Sequence, residues 1–119
     1  MTKILVRDVA RAAAKVCDVS LEDITGNGSG VMLWLVRCAA WNVSRNLGHR
    51  YPMMGSVYAG RDRTTICRGV RRARENNKDP AFASLVIRIQ CEALNIAQAR
   101  EFLLRQDVSM IRPEREAAS

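Results

Sequence analysis

Between His49 and Lys78 the chain gathers eight basic residues: Arg50, Arg61, Arg63, Arg68, Arg71, Arg72, Arg74 and Lys78. Only Asp62 and Glu75 oppose them, so eight minus two leaves this segment +6 of the chain's net +7. A patch of one sign over so short a stretch favours a polyanion, because each neutralised phosphate releases condensed counterions. Seven of the eight are arginine. The planar guanidinium fork suits phosphates and base edges, which it binds through two parallel hydrogen bonds.

The spacing within the segment sorts these residues. Ile66, Val70 and Ala73 recur at intervals of four and three, which makes them the buried seam of a helix. Thr64, Thr65, Arg68, Arg71 and Arg72 fall outside that seam. Asp62 precedes the helix as an N-cap, and Asn76 marks its end. Before it come a short helix led by Pro52, with Met53, Met54, Val57 and Tyr58, and then an Ala59-Gly60 turn. Short helix, glycine turn and longer basic helix form the layout of a helix-turn-helix. In that layout the first residues of the second helix reach base edges and later ones meet the backbone. Asp62, Arg63, Thr64 and Thr65 are therefore candidates for base reading. Arg68, Arg71 and Arg72 are candidates for phosphates, with Arg61 at the turn.

The remaining elements that must hold this pair in place also read as helix, which makes the chain all-α. Ile4, Val9, Ala13, Val16 and Cys17 predict a first helix over about 3–17. Ser20-Leu21-Glu22-Asp23 looks like a capping box opening one short turn. Val31–Leu47 predicts a strong helix closed by Gly48 at C′. Trp34, Cys38 and Trp41 share one of its faces and are expected in the core rather than stacked on bases. Asp79-Pro80 opens a long helix over about 80–105, with Phe82, Leu85, Val86, Ile89, Ala93 and Ile96 inward. Residues 1–106 suit a single domain, and the tail over 107–119 is expected to fray.

Other chemistries find little support. Cys17, Cys38, Cys67 and Cys91 are widely spaced and His49 is the only histidine, which argues against a zinc site or a disulfide framework. Each cysteine lies in an apolar helical stretch, so a buried, reduced thiol is expected, as in a cytoplasmic protein. Thr25-Gly-Asn-Gly-Ser-Gly30 lacks the G-K-[ST] ending of a phosphate loop and reads as a mobile connector. No Ser-His-Asp, Cys-His or paired-carboxylate arrangement is legible, so no enzymatic activity and no cofactor are expected. Val31–Val36, the longest apolar stretch, is far short of a membrane span.

The stretch Tyr58-Ala-Gly-Arg-Asp-Arg-Thr-Thr-Ile66 resembles the F-G-G-R-D-H-T-T-V signature of the C-terminal DNA-binding domain of DnaA, the bacterial replication initiator. Pro52 and Gly55 match that family's L-P-E-I-G element. Ala40–Leu47 is similar to its A-M-Y-L-A-R-E-L helix, with Arg37 on the arginine of the preceding R-Q. Ala13–Ile24 is similar to its opening helix and V-x-D-L turn. The resemblance covers about residues 4–75. It implies an all-helical module that reads a nine-base-pair DnaA box in double-stranded DNA. Carried over, it places Asp62, Thr64 and Thr65 at major-groove bases, with Arg63 in place of the family's histidine. Arg37 and the backbone near Pro52 would meet phosphates. The family's basic minor-groove loop corresponds here to Thr25–Gly30, which holds no basic residue. No ATPase segment accompanies the domain.

These observations point to specific duplex DNA binding in the control of replication initiation or transcription. The alternative is a protein-interaction module that kept the fold and lost DNA binding. The long final helix lies beyond the resemblance. It is available either to pack on the domain or to form a homodimer. No membrane and no small-molecule substrate are expected as partners.

Overall fold

The computed structural model describes residues 2–118, with side chains through residue 106. It is all-helical, with α1 at Val6–Cys17, α2 at Leu21–Thr25, α3 at Val31–Asn46, α4 at Tyr51–Val57, α5 at Arg63–Asn76 and α6 at Pro80–Ala118. No strand occurs among the described residues. The tail expected to fray from Asp107 lies outside the described side chains.

Local chemistry explains most boundaries. Ser20 Oγ accepts the Asp23 backbone N–H and starts α2. The end of α3 is a Schellman motif: Gly48 N–H donates to the Arg45 carbonyl and His49 N–H to the Ser44 carbonyl. The motif needs a left-handed residue at C′, and Gly48 supplies φ +91°. Arg50 caps α4, which places Pro52 second in the helix rather than first. Its missing N–H is harmless at either position, since the first-turn N–H groups have no intrahelical partner.

Two layers form around one core. α1 packs on α6, and α3 packs on α5, with α1 and α6 both also reaching α3. α1 buries Val6, Val9, Ala10, Ala12 and Ala13. Facing it, α6 buries Val86, Ile89, Ala93 and Ala97. Small side chains on both surfaces let the two axes approach closely. Asp8 is 1% exposed within this seam. Its carboxylate accepts the Leu5 backbone N–H and pairs with Arg100 of α6. A carboxylate buried this deeply requires a charged partner. His49 Nε2 lies 2.7 Å from the Ile4 carbonyl and donates to it, which ties the N-terminal segment to the α3–α4 corner. No helix among the described residues is long and apolar enough to cross a membrane.

The core stripe expected on α3 is only partly buried. Trp41 and Cys38 are inaccessible, whereas Trp34 is half-buried at the edge. The cysteines also depart from expectation. All four are free thiols, but only Cys38 is buried. Cys17 and Cys67 are half-buried and Cys91 is exposed.

Candidate nucleic-acid interface

α5 owes its position to Gly69 and Trp41. A Cβ on Gly69 would stand 2.3 Å from Trp41 Cε3, well inside contact distance. Absence of a side chain there lets α5 lie directly on the indole. Trp41 in turn meets Tyr58 edge-on, with ring centroids 5.5 Å apart. Tyr58, the aromatic that opens the signature-like stretch, is fully buried and so shapes the turn from inside. Ile66, Gly69, Val70 and Ala73 are the buried face of α5. Gly69 is a seam residue that the apolar spacing alone does not reveal, although a glycine inside a helical pattern is a signal of close approach.

The turn between α4 and α5 is tight. Ala59 and Gly60 take successive left-handed conformations, φ +60° and +71°, and Gly60 N–H donates to the Gly55 carbonyl. The chain reverses here in a few residues, and Gly55 has no room for a side chain because a Cβ would lie 2.6 Å from the Arg61 carbonyl. Asp62 then caps α5 by accepting the Thr65 backbone N–H at 2.8 Å. Hydrogen bonds from the Thr65 backbone and hydroxyl hold the Asp62 carboxyl below the usual carboxylate range.

Opposite the buried seam, Thr64, Arg68, Arg71 and Glu75 follow at intervals of four, three and four and are all exposed. Arg63 and Arg72 flank them, also exposed. Arg68, Arg71 and Arg72 make no hydrogen bond or ion pair among the described residues. The Arg63 guanidinium lies over the Tyr51 ring at 5.4 Å, and Arg45 lies over the same ring at 4.7 Å. The half-buried Cys67 joins Arg63, Thr64, Arg68 and Arg71 around a shallow groove of about 280 Å³. Beside it, a second cleft of about 390 Å³ has Val31, Trp34 and Leu35 on the α3 side and Arg68, Arg71 and Arg72 on the α5 side.

Two of the expected contacts sit elsewhere. Arg37 is 4% exposed. Its Nε donates to the Ile24 carbonyl at 2.7 Å, and its Nη2 donates to the Asp23 and Gly28 carbonyls at 2.6 Å each. This corrects the expectation that Arg37 meets a phosphate, because its donors are turned inward and spent on backbone. Burial, then the neighbouring Arg61 charge, lowers its affinity for the proton, yet a guanidinium stays charged in any protein setting. Arg61 is half-buried and divides its fork between the Tyr58 carbonyl at 2.9 Å and the Gly26 carbonyl at 2.8 Å. The Thr25–Gly30 segment, expected to be a mobile connector, is thus clamped by two arginines. Glycine suits it for a physical reason: at Gly28 a Cβ would lie 2.8 Å from Leu33 and 3.0 Å from the Asp23 carbonyl.

The nine expected contacts therefore separate into three sets. Arg63, Thr64, Arg68, Arg71 and Arg72 come together on the outer face of α5. Asp62 and Thr65 cap its first turn at the rim of that face. Arg37 and Arg61 lie behind it. Residue spacing does not reveal Cys67, Tyr51 and Trp34 as neighbours of the face, because their placement depends on how α3 and α4 pack on α5. Among the described residues no cluster of His, Cys, Asp or Glu could hold a metal ion. Comparison with family models, characterised proteins and solved structures returned no match.

Proposed function

We propose that the chain binds double-stranded DNA with the outer face of α5, α4 and α5 acting as a helix-turn-helix. The observation that carries this reading is the set of three arginines, Arg68, Arg71 and Arg72, exposed along one helix face without a protein partner. Side chains of this type on a structural surface tend to find carboxylates nearby. Here Glu75 and Asp62 are the acidic side chains near them; the Arg68 charge is felt at Asp62, but neither carboxylate makes an ion pair. Thr64 and Arg63 open the helix and reach base edges, where arginine pairs with guanine and a threonine methyl touches thymine. Arg68, Arg71 and Arg72 hold phosphates. Asp62 and Thr65 keep the first turn wound, so their effect on base reading passes through the cap.

The signature-like Tyr58–Ile66 stretch carries the proposal further, to a site related to a DnaA box and a role in regulating replication initiation or transcription. Arg63 stands where that family has histidine, so the preferred bases at one or two positions should differ. The loop before α3 has no basic side chain and turns its carbonyls toward Arg37 and Arg61. Base reading is therefore assigned to the major groove alone.

The test is selection of bound sequences from a random duplex library, followed by titration of the enriched site at several salt concentrations. With about four phosphates neutralised, log K should fall against log salt with a slope of about −4. Enrichment of a site close to a DnaA box supports the full reading. Salt-sensitive binding without enrichment would reduce it to a non-specific binder. No binding to any duplex at low salt would leave the protein-interaction module as the better account.

A further inference from the structure

We infer that Tyr51 is a positioning residue for base reading: its ring holds the Arg63 guanidinium in place at the start of α5, ready to pair with a guanine edge. The inference rests on the DNA-binding reading above and names the side chain behind its specificity. Tyr51 is the first residue of α4 and Arg63 the first of α5. The left-handed turn between the two helices brings these starts together, and the Arg63 guanidinium lies over the Tyr51 ring, 5.4 Å from its centroid.

The ring is itself held. Tyr51 is half-buried and packs against the core. Arg45, in the last turn of α3, lies over the same ring at 4.7 Å. Its Nη1 also donates to the His49 carbonyl at 2.9 Å, so Arg45 is fixed at two points. Arg63 has the ring alone, since its side chain makes no hydrogen bond or ion pair among the described residues. Two guanidinium charges repel each other, and the electron-rich ring offsets that repulsion. Without the ring, Arg45 keeps its carbonyl and Arg63 keeps nothing.

Such a contact suits base reading better than phosphate holding. The ring attracts the guanidinium's charge and spends none of its N–H groups on an oxygen acceptor, so the fork stays available for guanine O6 and N7. Reading a base requires that fork in a fixed place, whereas a phosphate contact tolerates movement. Among the described residues the outward arginines divide on this point: Arg63 has a ring contact, and Arg68, Arg71 and Arg72 have none. The backbone end of Arg63 is set by the Asp62 cap, which accepts the Thr65 N–H at 2.8 Å. The far end is set by Tyr51. A side chain held at both ends has little freedom left to lose on binding. Ordering a long side chain at an interface lowers affinity by a factor of about two to ten, and Tyr51 removes that loss for Arg63.

Two measurements on the intact chain test this. The first needs no DNA. In the free protein the Arg63 Nε–H resonance, identified by its loss in Arg63→Ala, should be displaced by the ring current. Tyr51→Phe should keep the displacement and Tyr51→Leu, which retains apolar bulk, should remove it. An undisplaced resonance in the parent chain overturns the inference. The second is affinity for the duplex enriched by selection and for an unselected duplex, with folding checked by circular dichroism. Tyr51→Leu should weaken the enriched site by about two- to tenfold, relax preference at the positions that Arg63→Ala relaxes, and leave the salt slope unchanged. Tyr51→Phe should restore both affinity and preference, and Tyr51→Leu should have no further effect in an Arg63→Ala background. Equal weakening of both duplexes overturns the inference, as does additivity with Arg63→Ala. A Tyr51→Phe chain as weak as Tyr51→Leu would assign the effect to the hydroxyl and overturn it too. A displaced resonance in a chain that binds no duplex would overturn the DNA reading itself, and this role for Tyr51 with it. Duplex binding with an undisplaced resonance overturns the role of Tyr51 alone.

Discussion

Arg37 and Arg71 are the same residue type on neighbouring helices, and they do opposite things. Arg37 points into the molecule, and its guanidinium is surrounded by the carbonyls of residues 23–28. Arg71 points away from it and meets no partner among the described residues. The difference lies in what the backbone leaves unsatisfied. The end of α2 and the glycine loop after it turn carbonyls inward, and buried carbonyls need donors. Along the middle of α5 every backbone group is used within the helix, so its arginines have nothing local to satisfy. An arginine cluster in a sequence therefore mixes two populations. Only the outward one is available to a polyanion.

The contrast can be broken most forcefully at Arg37. Arg37→Ala removes the donors for at least three carbonyls in a site that is mostly closed to water. We expect a loss of about 3–5 kcal/mol in urea unfolding, a large part of the stability of a domain this size. Arg37→Lys should recover little, since an ammonium cannot reproduce the fork. DNA affinity of the remaining folded protein should be unchanged. An Arg37→Ala chain that unfolds like the parent but binds DNA poorly would return Arg37 to the interface.

At the outward arginines the expected balance reverses. Arg63→Ala should cost about 1–3 kcal/mol on the preferred site and relax preference at one or two positions. Arg72→Ala should weaken all sequences alike and reduce the salt slope by about one. Neither should shift unfolding by more than about 0.5 kcal/mol, as befits exposed positions. Equal weakening of every sequence by Arg63→Ala would make it a phosphate contact. A large loss of stability in either variant would show that the outward set is structural after all.

The thiols sharpen the comparison with the smallest perturbation. Cys67 lies among Arg63, Arg68 and Arg71, Cys91 lies on α6, and Cys38 is buried beneath α5. Burial pushes the Cys38 thiol up to about 11, so at neutral pH it should resist a maleimide until the protein unfolds. Bound duplex should slow modification of Cys67 and leave Cys91 unchanged, measured by mass spectrometry of the labelled peptides. Equal rates at Cys67 with and without DNA would place the duplex on another face.

Much of this arrangement follows from local rules. The helix boundaries at Ser20, Gly48 and Asp62 rest on short-range hydrogen bonds, which is why residue type and spacing reveal them. The buried seam of α5 and the outward position of Arg68, Arg71 and Arg72 follow from helical period. Residue type alone also confines the basic excess to the stretch from Arg50 to Lys78.

Tertiary packing decided the rest. Whether Arg37 faced solvent or core depended on where the loop after α2 came to lie, which is a contact across nine to fourteen residues. That Asp8 would be buried depended on Arg100, 92 residues away. Trp34 and Trp41 share a helix face, yet Trp41 is sealed by Gly69 while Trp34 lies at the open edge. Helical period sorts residues by direction around one axis. It does not say how far a neighbouring helix extends over them, and on that distance depends which side chains are core, which are clamps and which remain free to meet a partner.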